Sequence, residues 1–317
     1  MADPEPSSAA RRPSSPAAVF ARLPRAAAGP LFMLAAALGS GCLAGVVRHL
    51  STDLHPFEIV FFRNLFAFVV LLPWLLRVGW EPLKTRQIGG HALRAFLNLV
   101  AMLTHFYALA ITPLAKVASL GFVSPLFATL FAVLLLHEKL QAKRMAALLA
   151  GFLGALIIIR PGTDAMSLGA LLVLISAAVW GLALIVIKRL SRTDSSFTIA
   201  AYAGLLITPF SLIPALFVWQ WPEPATWGWL VAVGAIGAAM HMAGAQAFRL
   251  ADATAVLPVD FTKLGWAAII GYIFFGEVPE LWVWIGGAVI FASTVYIAYR
   301  ESRGAAPEVT AGPSMPA

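Results

Sequence analysis

The feature that most constrains this chain is a succession of ten long apolar runs separated by short polar turns. Only 12% of the residues are charged, about half the usual share, so too few polar side chains exist to cover a water-soluble core. A helix needs about 20 apolar residues to cross a bilayer. The pattern therefore predicts an all-α membrane protein with ten transmembrane helices at residues 30–47, 56–76, 92–111, 114–136, 145–159, 167–187, 197–219, 227–248, 254–275 and 281–298.

Basic residues indicate how the chain lies in the membrane. Lys and Arg fall overwhelmingly on the side of the N-terminus, whereas the opposite side receives Arg48 and Arg160. The positive-inside rule then predicts a multi-pass membrane protein with both termini in the cytoplasm. Residues 1–29 and 300–317 are predicted to be cytoplasmic tails, the first of them disordered. The net charge of +7 is divided among short loop clusters, which argues against a nucleic-acid partner.

The two halves of the chain repeat one another. A shift of 139 positions places Phe122 on Phe261, and Glu138 on Glu277. The pattern predicts two five-helix repeats, at 30–160 and 167–299. Because each repeat has an odd number of spans, the second enters the membrane from the other side. Inverted repeats are typical of secondary transporters, whose substrate site lies between the repeats.

Ionisable residues inside the apolar runs are candidates for a functional site, because burying a charge in a bilayer is costly. Asp260 and Lys263 share a helical face. They form either a self-contained ion pair that holds the bundle together or a pair that lines a cavity and meets a zwitterionic or charged ligand. Arg63 has no acid three or four positions away. We therefore expect its counter-charge to come from another helix, with Glu58 or Asp260 available, or from the substrate.

Other polar and aromatic residues are weaker candidates. His105 and His241 could relay protons or could be hydrogen-bonded core histidines. Aromatic residues within the runs could form a box for a flat or cationic ligand, or could simply pack. The predicted substrate-binding set is Arg63, Trp180, Asp260, Lys263, Phe62, Tyr107, His241 and Gln246.

Motifs of enzymes and ATP-driven pumps are missing from the sequence. It has no phosphate-binding Gly-x-x-x-x-Gly-Lys-Ser/Thr loop, and His137-Glu138 lacks the second histidine of a zinc protease. We therefore expect a carrier without cofactor or metal. Two alternatives remain: an intramembrane transferase with His105 or His241 as its base, and a structural or accessory protein.

Several blocks resemble the drug/metabolite transporter superfamily, specifically its ten-span EamA-type carriers, over about residues 30–300. These blocks are Leu54-His55-Pro56-Phe57-Glu58, Phe61-Phe62-Arg63, Pro113-Leu114-Ala115-Lys116, Arg160-Pro161-Gly162, Asp260-Phe261-Thr262-Lys263-Leu264 and Gly276-Glu277. The resemblance implies two inverted five-helix EamA repeats and alternating access in a bacterial inner membrane. It also implies structural roles for Glu138 and Glu277.

Within that superfamily, the blocks look most similar to S-adenosylmethionine uptake carriers, with riboflavin importers and metabolite exporters nearby. Since the charges of Arg63, Lys263, Asp260 and Glu58 nearly balance, we expect a zwitterionic metabolite such as S-adenosylmethionine or an amino-acid derivative. Riboflavin or another metabolite is the alternative. The expected partners are this substrate, the lipid bilayer, and protons or another co- or counter-transported solute.

Overall fold

A computed structural model describes residues 25–78, 84–136, 141–163 and 166–304. Within these ranges the chain is all-helical and contains twelve helices. They are α1 (Arg25–Leu50), α2 (Pro56–Val78), α3 (Ile88–Ile111), α4 (Leu114–Gly121), α5 (Ser124–Leu136), α6 (Ala142–Ile159), α7 (Leu168–Leu190), α8 (Ser196–Leu216), α9 (Trp227–Leu250), α10 (Ala253–Asp260), α11 (Thr262–Phe275) and α12 (Leu281–Gly304).

The helices match the predicted membrane spans. In the described part of the chain, nine helical stretches are long and apolar enough to cross a bilayer. Helix α2, with 23 residues, coincides with the remaining predicted span. The prediction of an all-α, multi-pass membrane protein is confirmed. Helix α1 begins at Arg25, within the segment predicted to be a disordered tail, because its first residues are mostly alanine, the best helix former.

Two spans predicted to be continuous, 114–136 and 254–275, are each broken into two helices. Helix α4 ends at Gly121 and α5 begins at Ser124, while α10 ends at Asp260 and α11 begins at Thr262. Pro125 lacks the N–H that would bond to the carbonyl of Gly121. At the other break, the hydroxyl of Thr262 donates to the carbonyl of Val259 over 2.7 Å, in competition with the helical pattern.

Eight spans form a closed ring. Going around it, α2 packs on α9, α9 on α1, α1 on α11, α11 on α4, α4 on α7, α7 on α3, α3 on α8, and α8 on α2. Helices α6 and α12 pack against each other behind α4 and α10. Their backbones nearly touch, since a Cβ placed on Gly154 would lie 2.9 Å from the carbonyl oxygen of Gly286.

The ring has pseudo-twofold symmetry. The packing of α1 on α9 matches that of α7 on α3, and α11 on α1 matches α5 on α7. A Cβ on Gly41 would lie 2.9 Å from Trp266 Cβ, and one on Gly181 would lie 2.9 Å from Phe127 Cβ, so both crossings need glycine. At the two helix breaks, the rings of Phe122 and Phe261 lie 5.1 Å apart. The residues that the repeat pairs in sequence are thus neighbours in space.

Candidate functional site

One end of the ring is closed by an ion pair that joins the two repeats. Arg48, near the end of α1, donates to the backbone oxygens of Leu109 and Thr112 over 3.0 and 3.1 Å. Its guanidinium also lies 3.3 Å from Glu277 Oε1. Glu277 Oε2 accepts the backbone N–H of Leu114 over 2.7 Å. We call this end, where α1 meets α2, the sealed end.

Aromatic side chains complete the sealed end. Phe62 is only 3% exposed and lies 5.6 Å from Trp219 and 5.4 Å from Trp227, measured between ring centroids. Tyr107 lies 6.0 Å from the ring of His55. Two of the predicted substrate-binding residues, Phe62 and Tyr107, therefore pack in the seal. The loop between α8 and α9 is joined there as well, because the backbone N–H of Gln220 donates to buried Glu58.

The opposite end of the ring is open, as the inward face of α9 shows. On one stripe of that helix Leu230 and Ala238 are buried, whereas His241 and Phe248, farther along it, are exposed. Helix α7 shows the same change, from buried Val173 to Trp180, which is 37% exposed. Helix α3 packs on α1 and α2. The equivalent helices of the second repeat are α9, α7 and α8, and among the described helices α9 does not pack comparably on α7 or α8. The ring is therefore less closely packed at this end, the open end, and we expect a central cavity to be entered from here.

Arg63 lies where the inward face of α9 changes from buried to exposed. Its Nη1 donates to Asn64 Oδ1 over 3.0 Å. A Cβ on Gly237 would lie 2.8 Å from Arg63 Nε, so the missing side chain makes room for the guanidinium. His241 Nδ1 is 3.4 Å from Arg63 Nη2 and 2.8 Å from the oxygen of Gly237. That nitrogen can donate to the carbonyl or accept from Arg63, but it cannot do both.

The described helices give Arg63 neutral partners only. Glu58 is engaged by Gln220 at the sealed end, and Asp260 is bonded to Lys263. Within the described residues, Arg63 forms no ion pair with a carboxylate. Among the described helices none supplies the expected counter-charge, and a counter-charge from the substrate stays a prediction.

Asp260 and Lys263 form the predicted ion pair, with Lys263 Nζ 2.7 Å from Asp260 Oδ2. The ammonium also lies 4.1 Å from the ring centroid of Phe122. Both residues are about one quarter exposed. The pair thus joins the two helix breaks, and its contact with a ligand stays a prediction.

The remaining aromatic candidates do not converge in the described structure. Two further aromatic residues of the apolar runs lie at opposite ends of the ring. Tyr202 stacks on His91 at 4.6 Å near the open end, whereas Phe61 contacts Phe62 at the sealed end. Trp180 lies on the inward face of α7, and Gln246 is half-buried on α9. The structure therefore does not show the predicted aromatic box.

Sequence reasoning missed a polar clamp at the open end. His91 is 1% exposed, and its Nε2 lies 2.7 Å from Asp194 Oδ2, which also accepts from Thr85 over 2.6 Å. The hydrogen bonds from Thr85 and His91 hold the pKa of Asp194 below its ordinary value. The clamp ties α3 to the turn between α7 and α8. Its members lie more than 100 residues apart, and no local pattern signals their pairing.

A small cavity lies between α4 and α11 near the sealed end. It has a volume of about 60 Å³ and is lined by residues that include Lys116, Gly271 and Glu280. Metabolite sites have volumes of about 300 Å³ or more. This cavity is therefore too small for an organic substrate.

Comparisons with known proteins agree with this architecture. The model of the EamA-like transporter family matches residues 27–160 and 167–299. The chain is 37% identical to a riboflavin transporter of Vibrio cholerae, over 87% of this chain and 94% of that protein. It is 29% identical to an S-adenosylmethionine uptake transporter of Rickettsia prowazekii, over 81% and 87% of the two chains. A solved structure with 19% identity superposes with a TM-score of 0.59, covering 87% of this chain and 99% of the other, and shows the same fold.

Proposed function

Because the chain belongs to the EamA-like transporter family, we propose that it is a secondary carrier of the bacterial inner membrane that moves riboflavin by alternating access. The family and the named relatives establish a multi-pass transporter of small metabolites rather than an enzyme. A cavity that is sealed at one end and open at the other is what such a carrier presents in one of its states.

The observation that carries the choice of riboflavin is the 37% identity to the Vibrio cholerae riboflavin transporter over nearly its whole length. S-adenosylmethionine is the second candidate, favoured by the Rickettsia relatives and by the carboxylate of Asp260, which could meet an ammonium or sulfonium group. Because Lys263 already neutralises that carboxylate, we rank this substrate second.

The basic residues support one orientation of the cavity in the membrane. Lys188, Arg189 and Arg192 lie at the end of α7 and in the turn after it, beside the open end. The positive-inside rule then supports an open end that faces the cytoplasm, with both termini on the same side. Coupling to protons or to another solute stays a prediction.

Counterflow in proteoliposomes tests the proposed function. Vesicles are preloaded with unlabelled riboflavin, a labelled trace is added outside, and transient accumulation is followed, with S-adenosylmethionine in a parallel series. We expect riboflavin to accumulate above equilibrium, which a channel or an enzyme cannot cause. Flat traces for both compounds, from protein that is monodisperse in detergent, would contradict the proposal.

Two variants sharpen the counterflow test. Asp260→Asn removes the charge that holds Lys263, and we expect it to abolish transport while the protein still inserts and remains monodisperse. Glu280→Gln is the matched control, since Glu280 pairs with Arg160 at the sealed-end surface and lies outside the central cavity. Transport by Asp260→Asn at the rate of the control would remove Asp260 from the site.

A further inference from the structure

We propose that the blind end of the central cavity is a subsite for hydrogen-bond acceptors, formed by Arg63 and Asn64 against Gly237. It binds a ligand that presents an edge of acceptors and carries no net positive charge. This inference rests on the proposed function, since it names the class of substrate that the same cavity takes.

Unused donors are the first support for the subsite. Arg63 Nε and Asn64 Nδ2 are buried, and neither has a hydrogen-bond partner in the described part of the chain. Both groups can only donate. The acceptor at this place, Asn64 Oδ1, is already engaged by Arg63 Nη1. Because buried donors are rarely left unpaired, two such donors at one place point to an acceptor supplied by a ligand or a water.

The shape of the site is the second support. Gly237 lets α9 pack directly against one side of the guanidinium, since a side-chain carbon there would lie 2.8 Å from Nε and 3.1 Å from Nη2. His241, one helical turn farther along α9, is exposed. A ligand that enters from the open end therefore passes His241 before it reaches Arg63.

Charge is the third support. The ion pair of Asp260 and Lys263 is neutral by itself, and Arg63 forms no ion pair with a described carboxylate. In a poorly hydrated cavity the charge of Arg63 attracts acceptors and repels cations. Riboflavin is neutral and has two ring carbonyls and further ring nitrogens that accept hydrogen bonds. S-adenosylmethionine carries a net positive charge and is disfavoured.

Equilibrium binding to the purified protein in lipid nanodiscs tests the subsite, with riboflavin and S-adenosylmethionine as probes. We expect riboflavin to bind to the unmodified protein at least about ten-fold more tightly. Arg63→Gln should weaken riboflavin binding by about 10- to 100-fold, because it removes charge-assisted hydrogen bonds. The same change should leave S-adenosylmethionine binding equal or tighter, so that the preference largely disappears.

Two further variants separate charge from geometry. Arg63→Lys keeps the charge and loses the planar fork of donors, so it should still disfavour S-adenosylmethionine but bind riboflavin more weakly. Gly237→Ala keeps Arg63 and displaces its guanidinium, and it should weaken riboflavin binding as well. Arg300→Gln, at the cytoplasmic end of α12, removes a charge far from the cavity and serves as the control.

The outcomes distinguish this proposal from the previous one. Counterflow of neither compound by the unmodified protein overturns the proposed function. Normal counterflow of riboflavin with an unchanged binding preference in Arg63→Gln overturns the subsite alone, as does a preference of the unmodified protein for S-adenosylmethionine. If Arg63→Gln is not monodisperse in detergent, Arg63→Lys and Gly237→Ala decide, and unchanged riboflavin binding in both overturns the subsite.

Discussion

The sealed end and the open end are built from equivalent helices but differ in one set of contacts. At the sealed end, Arg48 and Tyr107 join the end of α3 to α1 and to the start of α2. At the open end the corresponding part of α9 remains apart from α7 and α8, and His241 is exposed. The difference teaches that access depends on these cross-ring contacts.

Contacts around the ring are retained at both ends. His91 and Asp194 hold α3 to α7 and α8 at the open end, while the rings of His49 and Trp229 lie 5.2 Å apart between α1 and α9 at the sealed end. The ring is therefore continuous in both places. Inverted repeats alternate by exchanging such cross contacts between their two ends while other packing persists.

The largest effect that we expect is on accessibility from the two sides. The test uses a Cys42→Ala background, which removes the native cysteine. His241→Cys should then react with a membrane-impermeant maleimide at least about ten-fold faster from the open end, because the state that is closed at the sealed end is the more populated one. Labelling rates in inside-out and right-side-out vesicles measure this ratio. Phe217→Cys, at a position 85% exposed near the sealed end, and Arg192→Cys at the open end report the two sides. Equal labelling rates of His241→Cys from the two sides would contradict the distinction between a sealed end and an open end.

An intermediate effect should follow from weakening the seal. Glu277→Gln removes the negative charge that faces Arg48 between the repeats. We expect the labelling of His241→Cys from the sealed end to become several-fold faster, because a lost contact in one state shifts the population to the other. Glu280→Gln is the control, since its ion pair with Arg160 is partly exposed and exposed ion pairs contribute little to stability. A similar rise in both variants would mean that general loosening, not the Arg48 contact, controls the seal.

The smallest effect should come from the clamp at the open end. The folded state holds the pKa of Asp194 below its ordinary value, so this group stabilises the protein above the ordinary aspartate pKa of about 4, and the contribution is lost as pH falls through the lower, folded value. Acidification from about pH 5 to pH 3 should therefore lower the melting temperature, and Asp194→Asn should reduce that fall slightly. Melting curves in detergent measure it, with Asp53→Asn in an exposed turn as the control. An identical fall in Asp194→Asn and the unmodified protein would exclude this contribution.

Much of the fold could be predicted from the sequence, because membrane spans are recognised by their long runs of apolar residues. The turn at Thr112 and Pro113 separates α3 from α4 as predicted. The repeat shift that pairs Phe122 with Phe261 is matched by their ring contact. The breaks beside these two residues were missed, because a half-helix has the same hydropathy as a continuous one.

The candidate site was less predictable, since it depends on contacts between distant helices. The sequence identified Asp260 with Lys263, whose spacing places both on one face. It could not reveal that Arg63 lies over Gly237, because glycine gives no signal of what occupies the space beside it. Nor could it place Phe62 in the sealed end rather than the cavity, since an aromatic residue in an apolar run has the same pattern in either place.

The near-equivalence of the two repeats has a thermodynamic consequence. If the halves were identical in sequence, the inward- and outward-facing forms would have equal free energies and would be equally populated. Any preference for one form must therefore come from positions where the halves differ, such as Trp266 in one repeat and Phe127 in the other, which face the equivalent glycines Gly41 and Gly181. The equilibrium between the two forms therefore depends on the positions where the repeats differ. Equivalent changes at two paired positions should shift this equilibrium in opposite directions.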